Sequence, residues 1–278
     1  MQIVRQIIAL PDALDEFRAD GRVALVPTMG ALHDGHLALV AEAKKRAERV
    51  AATIFVNPLQ FNDPADLERY PRQVESDLAK LEAAGCDLVW LPGAAELYPE
   101  GFATTIRVAG ISERWEGEHR PGHFDGVATV VAKLFIATRP DVAVFGEKDF
   151  QQLAVIRRLT EDLGLPVEIV GHATVREADG LAMSSRNALL SAEDRAKAPL
   201  LYDAIEGAAA EICCFTEVEE ALAFSTDLLT KNGFGPVDYL ALVDEKNLEP
   251  LDVDQPDSRI IVAASLGGVR LIDNVRVR

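Results

Sequence analysis

With 278 residues, 49% of them apolar and 26% charged, the chain is long enough for two domains and apolar enough to fill a sizeable core. Its formal net charge of −17 speaks against broad, unspecific contact with nucleic acid or an anionic membrane, yet leaves room for a local basic pocket around a phosphorylated ligand. Three cysteines without a C-x-x-C pair offer neither a disulfide framework nor a cysteine zinc site.

The opening "MQIVRQIIALPDALDEFRAD" has neither the apolar core nor the cleavage site of a signal peptide. No apolar run approaches the roughly 18 residues of a membrane span, so a cytoplasmic protein is expected. From Arg22 onward, strand-like runs alternate with helical patterns. "RVALVP" is a strand and "HLALVAEAKKRAERV" a helix; "AATIFV" is a strand and "RQVESDLAKLEAAG" a helix. "DLVWLP" is the third strand, and "GVATVVAKLFIATRP", apolar around most of its circumference, is a buried helix. "DVAVFG", the helix "DFQQLAVIRRLTEDLG" and "PVEIVG" complete the series. Short apolar strands separated by helices predict a Rossmann-like parallel sheet covered on both faces. "ELYPEGFATT" is expected to be a flexible loop.

The pattern then changes. "SAEDRAKAPLLYDAIEGAAAEI", with Ser191 as its N-cap, and "TEVEEALAFSTDLLTKNG" predict two helices. "VDYLALVD", "SRIIVAASLGG" and "VRLIDNVRV" predict a small strand cluster. The expected organisation is an α/β domain over 1–175 and a smaller α+β domain over 176–278 that closes over the active site.

"VPTMGALHDGHLALV" (Val26–Val40) lies at the carboxyl end of the first of these strands, where open α/β sheets place their ligands. Gly30 and Gly35 let the chain turn, and the helix starting near Gly35 offers unpaired N–H groups and a positive dipole end to phosphate. His33 and His36 could add imidazole donors to phosphate oxygens, or could be satisfied structural histidines; zinc has no third ligand nearby. In "GEKDFQQL", Gly146 ends a strand and sets Lys148 and Asp149 on the same ligand edge. Asp149 could accept from a ribose hydroxyl or cap the next helix. Gln151 and Gln152 are neighbours on a helix and cannot share a face.

Several stretches together resemble the pantoate–β-alanine ligase family of the H-x-G-H nucleotidyltransferase superfamily. They are "PTMGALHDGH", "FVNPLQF", "RPGHFDGVATVV", "FGEKDFQQL" and "READGLAMSSRN", with "VDYL" and "LIDN" near the end, so the likeness spans the chain. The resemblance implies condensation of (R)-pantoate with β-alanine through pantoyl adenylate, driven by ATP with Mg2+ and releasing AMP and pyrophosphate. It assigns catalysis to His33, His36, Lys148 and Arg186. It assigns ATP to Met29, Gly30, Ala31, Leu32, His33, Asp34, Gly35 and His36, to Gly146, Glu147, Lys148 and Asp149, and to Val175, Met183, Ser184, Ser185 and Arg186. Gln60, Gln152, Asn57 and His123 are implied for pantoate and Gln60 also for β-alanine. Asp77 matches a metal-associated aspartate, although Ser76 stands where some relatives have an acid. "MSSR" resembles the KMSKS loop of class I aminoacyl-tRNA synthetases, whose hydroxyls and guanidinium can follow the departing pyrophosphate. A homodimer is implied; no nucleic-acid or membrane partner is expected. Another nucleotidylyltransferase, a synthetase acting on tRNA and a non-enzymatic nucleotide sensor are the alternatives.

Overall fold

The computed structural model describes residues 1–278, which divide into two compact units: Met1–Glu147 with Val155–Ala173, and Lys148–Ala154 with Thr174–Arg278. The segment Lys148–Ala154 thus groups with the later part of the chain, which a contiguous division at 175 does not describe.

In the first unit the elements run β1 (Gln2–Val4), α1 (Leu10–Arg18), β2 (Val23–Thr28), α2 (Asp34–Ala43), β3 (Arg49–Ile54), α3 (Pro64–Arg69) and α4 (Val74–Ala83). Then come β4 (Leu88–Trp90), α5 (Ala94–Leu97), α6 (Glu116–His119), α7 (His123–Thr138), β5 (Val142–Gly146), α8 (Phe150–Asp162), which belongs to this unit only from Val155 on, and β6 (Glu168–His172). The six strands form one parallel sheet in the order β1-β4-β3-β2-β5-β6. Val23, Ala24, Leu25 and Val26 are fully buried, which is why β2 is apolar without alternation: helices cover both faces. Because β2 pairs with β3 on one side and β5 on the other, the strand order reverses there. The carboxyl end of β2 is the topological switch point of the sheet, the place where such folds hold ligands.

The second unit adds α9 (Ala192–Lys197), α10 (Leu200–Cys213), α11 (Val218–Lys231) and the antiparallel strands β7 (Val237–Asp244), β8 (Ser258–Leu266) and β9 (Val269–Arg276). Its own core joins Leu201, Ile205 and Leu229 of the helices to Ile260 and Val262 of β8. The expected fold class, a Rossmann-like parallel α/β sheet plus a smaller α+β unit, is the one observed. No helix is long and apolar enough to cross a membrane.

Three local expectations change. The sheet has a sixth strand, β1, whose three residues are too few to show periodicity. The helix expected to reach Val50 stops at Ala43, and Arg49 and Val50 open β3; Arg49 is drawn there by Asp20 and Asp87. The single helix expected after Ser191 is two. Ser191 does cap the first, accepting from the Asp194 N–H at 3.1 Å, but Pro199 has no N–H to continue it and starts α10 instead.

Candidate active site

The loop leaving β2 is shaped by two consecutive residues with positive φ, Gly30 at 85° and Ala31 at 52°. A Cβ on Gly30 would stand 3.0 Å from Asp77 Oδ2 and 3.1 Å from Ile54 Cγ2, so only glycine fits without displacement. The left-handed Ala31 costs about 1–3 kcal/mol and persists only where its surroundings over-determine it. Here α4 does so. Asp77 accepts from the Ala31 and Leu32 N–H groups, both at 2.8 Å, and Lys80, one turn along, donates to the Leu32 carbonyl at 2.6 Å.

The braced loop delivers the two histidines to the start of α2. His33 is the N-cap, extended at φ −130° and ψ 176°, and His36 is the third helical residue, so the helix begins at Asp34. The His33 backbone N–H donates to Nδ1 of His36 at 3.3 Å, and the two rings lie 4.1 Å apart by centroid. With Nδ1 acting as acceptor, the proton of a neutral His36 sits on Nε2. A donor on a short arm therefore stands at a helix N-terminus whose dipole already favours anions.

Asp77 does not suit a metal in this arrangement. Its side chain is 0% exposed and both oxygens are committed to main-chain amides; no group of three or more His, Cys, Asp or Glu side chains suits a metal elsewhere. Asp77→Ala would leave two amides without acceptors, each costing about 1–3 kcal/mol if it stays buried. The expected result is a lower melting temperature and faster hydrogen exchange at Ala31 and Leu32, with an unchanged magnesium dependence of pyrophosphate exchange. A shifted magnesium dependence would return Asp77 to the metal.

Asn57, Gln60 and His123 come together around a 3-10 turn, Pro58–Gln60, that packs on α7. Gly126 makes this possible, since a Cβ there would collide with the Leu59 carbonyl. Asn57 and Gln60 are both buried, and their side chains bond at 3.0 Å. His123 Nδ1 lies 2.8 Å from the Gln60 carbonyl oxygen; a carbonyl only accepts, so Nδ1 carries the proton. Arg120, itself paired with Glu116 at 3.0 Å, donates to the same carbonyl at 3.1 Å and lies 3.3 Å from His123 Nε2. His123 and Arg120 thus hold the Gln60 main chain. Arg120 lies inside "RPGHFDG", but its target is 60 residues away, and no local pattern announces that.

In the second unit, Lys148 stands 3.6 Å from Asp149 Oδ1, and its carbonyl accepts from Asn274 Nδ2 at 3.0 Å. Gln151 is buried and Gln152 half-buried. Met183 pairs with Val175 through its N–H at 2.9 Å, closing a short hairpin just before the Ser184–Arg186 stretch. Ser184 caps the following 3-10 turn by accepting from the Arg186 N–H at 3.2 Å. Arg176 opens that hairpin and pairs with Asp273 at 2.6 Å. Burial pushes the Asp273 carboxyl above its usual pKa, with the Arg176 guanidinium pulling the other way.

A parallel sheet whose switch-point strand delivers H-x-G-H to a helix N-terminus defines an α/β enzyme of the nucleotide-handling class. Comparison with known proteins narrows this. The chain matches the pantoate–β-alanine ligase family over residues 2–276. It is 55% identical over 278 residues to the pantothenate synthetase of Rhizorhabdus wittichii, covering 100% of this chain and 99% of that protein. A crystal structure of pantothenate synthetase from Thermus thermophilus superposes with a TM-score of 0.95 at 49% identity, covering 100% and 99% of the two chains. A second, of the pantoate–β-alanine ligase from Francisella tularensis complexed with beta-gamma ATP and beta-alanine, gives 0.84 at 33% identity, covering 99% and 97%. The chain belongs to the pantoate–β-alanine ligase family. It is a ligase that joins pantoate to β-alanine.

Proposed function

We propose that this ligation uses ATP and runs through a pantoyl adenylate. In the first step a carboxylate oxygen of (R)-pantoate attacks the α-phosphorus of ATP, the bond to the bridging oxygen breaks, and pyrophosphate leaves. In the second the β-alanine amine attacks the acyl carbon, the bond to the AMP oxygen breaks, and the nitrogen gives up a proton as pantothenate forms. No protein nucleophile is needed, so the chain contributes alignment and charge stabilisation. The observation that carries the reading is the His36 ring, held by the His33 N–H so that its donor is Nε2 at the N-terminus of α2. That donor is suited to the charge that grows on α-phosphate oxygens as five-coordinate phosphorus forms.

In this scheme His33 serves the β- and γ-phosphates, Lys148 supplies a point charge to phosphate, and Ser184, Ser185 and Arg186 follow the departing pyrophosphate. Gln60 and Gln152 hold pantoate, with Asn57 and His123 supporting Gln60. Neutral amides orient the carboxylate without the pairing by a cation that would dampen its attack. Magnesium enters with the triphosphate, and the assembly is a cytoplasmic homodimer. The Francisella relative, crystallised with beta-gamma ATP and beta-alanine, supports the choice of substrates.

The order of steps gives the test. ATP with pantoate alone is expected to exchange labelled pyrophosphate into ATP, before any β-alanine is present. Exchange that needs β-alanine would rule out the adenylate as a separate intermediate.

A further inference from the structure

A side-chain amide has a donating end and an accepting end, and which end faces the ligand decides what oxygen chemistry it can recognise. We propose that Tyr98 is a positioning residue that reinforces Asn57 in holding the Gln60 amide, so that Gln60 meets pantoate with its N–H donors and not with its carbonyl oxygen. The proposal rests on the assignment of Gln60 to pantoate made above.

The orientation of Asn57 is fixed by main-chain partners of opposite kind. Its Oδ1 accepts from the Leu59 N–H at 3.3 Å, and its Nδ2 donates to the Gly126 carbonyl at 3.1 Å. A backbone N–H can only donate and a backbone carbonyl can only accept, so the reversed amide would lose both bonds. Two consequences follow. The Tyr98 hydroxyl, 2.7 Å from Asn57 Oδ1, must be the donor in that bond. Asn57 Nδ2, 3.0 Å from Gln60, must be met by the Gln60 oxygen, Oε1. The polarity of the whole chain of bonds then runs one way, from the Tyr98 hydroxyl to Asn57 and from Asn57 to Gln60.

The free end of Gln60 is therefore Nε2. Its partner in the structure is the Met29 sulfur at 3.1 Å, a weak acceptor on the loop at the end of β2. The Gln60 main chain is clamped from below by His123 and Arg120, so neither the backbone nor the amide turns easily. Tyr98 is equally well held. Its ring meets Phe102 edge-on at 5.0 Å and Phe55 at 6.2 Å, and Lys133 Nζ lies 5.9 Å over it. Burial pushes the Tyr98 hydroxyl well above its ordinary pKa, so its proton is retained throughout the working range. A donating amide recognises a carboxylate or the lone pair of a hydroxyl, both of which pantoate presents. It also repels nothing on an anionic acid, which an exposed amide oxygen would do.

Tyr98→Phe removes the hydroxyl and keeps the ring. The expected result is a pantoate KM raised about three- to tenfold, in line with one lost hydrogen bond, with the ATP KM and melting temperature close to the parent's. Gln60→Glu should raise the pantoate KM far more, because Asn57 holds one carboxylate oxygen and the other then faces pantoate. The decisive measurement is a double-mutant cycle: in a Gln60→Ala background, Tyr98→Phe should change the pantoate KM no further. If Tyr98→Phe leaves the pantoate KM alone, or shifts it equally in both backgrounds, the route through Asn57 is wrong. If Gln60→Ala itself leaves the pantoate KM unchanged, the assignment of Gln60 to pantoate fails, and the orientation proposal falls with it.

Discussion

His36→Ala is expected to slow adenylation by about 10²–10³, the usual cost of one lost donor to a charge-developing transition state, while ATP affinity changes much less. The structure shows why alanine alone is an ambiguous probe. Nδ1 of His36 accepts from the His33 N–H, so the substitution also removes a bond at the helix start. Two further variants separate the roles. Asparagine can place its oxygen near the position of Nδ1 but has nothing at Nε2; glutamine reaches towards Nε2 with an N–H donor and lacks the nearer acceptor. His36→Asn is therefore expected to restore the melting temperature without restoring the rate, and His36→Gln to retain more adenylation than His36→Asn. Amide formation from supplied pantoyl adenylate and β-alanine should suffer little in any of them, since the phosphorus chemistry is then already done. If that half-reaction falls as far as adenylation, His36 is holding the pocket together and is not stabilising charge.

That prediction draws on residues whose place was legible from a single stretch of chain. A strand-length apolar run, glycines, two histidines and a helical pattern are all local features, and β2, the loop and the start of α2 follow them within a residue or two, whereas the end of α2 does not. The different burial of Gln151 and Gln152 was equally local, because adjacent helical residues cannot share a face. The supports of the same site were not legible. Asp77 reaches the loop across 46 residues of sequence, His123 reaches Gln60 across 63, and Tyr98 reaches Asn57 across 41. Contacts of that range leave no periodicity. Resemblance placed Asp77 at a metal and His123 at pantoate, and only the geometry of their bonds shows what each side chain touches.

Segment membership was hidden for a related reason. "GEKDFQQL" follows directly from β5 and suggests the first unit, yet Lys148–Ala154 groups with the second. Phe150 lies under the Arg259 guanidinium at 4.0 Å, and Asn274 holds the Lys148 carbonyl. Both partners come from strands more than a hundred residues later. "LIDN" looked like part of an ordinary strand; its last two residues are both buried, Asp273 against Arg176 and Asn274 against the Lys148 carbonyl.

Asp273→Ala is expected to produce the largest loss of stability, about 3 kcal/mol and at most about 5, because it strands a charged partner. Asp273 is 3% exposed, and its carboxylate takes two bonds from Arg176, at 2.6 and 3.0 Å, with a third from the Asn274 N–H at 2.7 Å. The guanidinium also donates to the Gly180 carbonyl at 3.0 Å and stacks on the Tyr202 ring at 3.6 Å, tying "READG" to β9 and α10. The Arg176 side chain keeps 19% exposure, so water recovers part of the stranded charge, and the lower figure is favoured. Replacing both partners with apolar residues, as in Asp273→Leu with Arg176→Met, should recover most of the loss, since an apolar pair of similar volume is often neutral. Urea unfolding followed by two probes measures both variants. Equal stability of Asp273→Ala and the parent would deny the pair any structural role. Adenylation by the stable double variant then decides what the pair does for Lys148. Asn274 still bonds the Lys148 carbonyl there, so activity per folded molecule should stay within a few-fold of the parent. A collapse of activity at normal stability would mean that Arg176 and Asp273 set the position of Lys148 through Asn274.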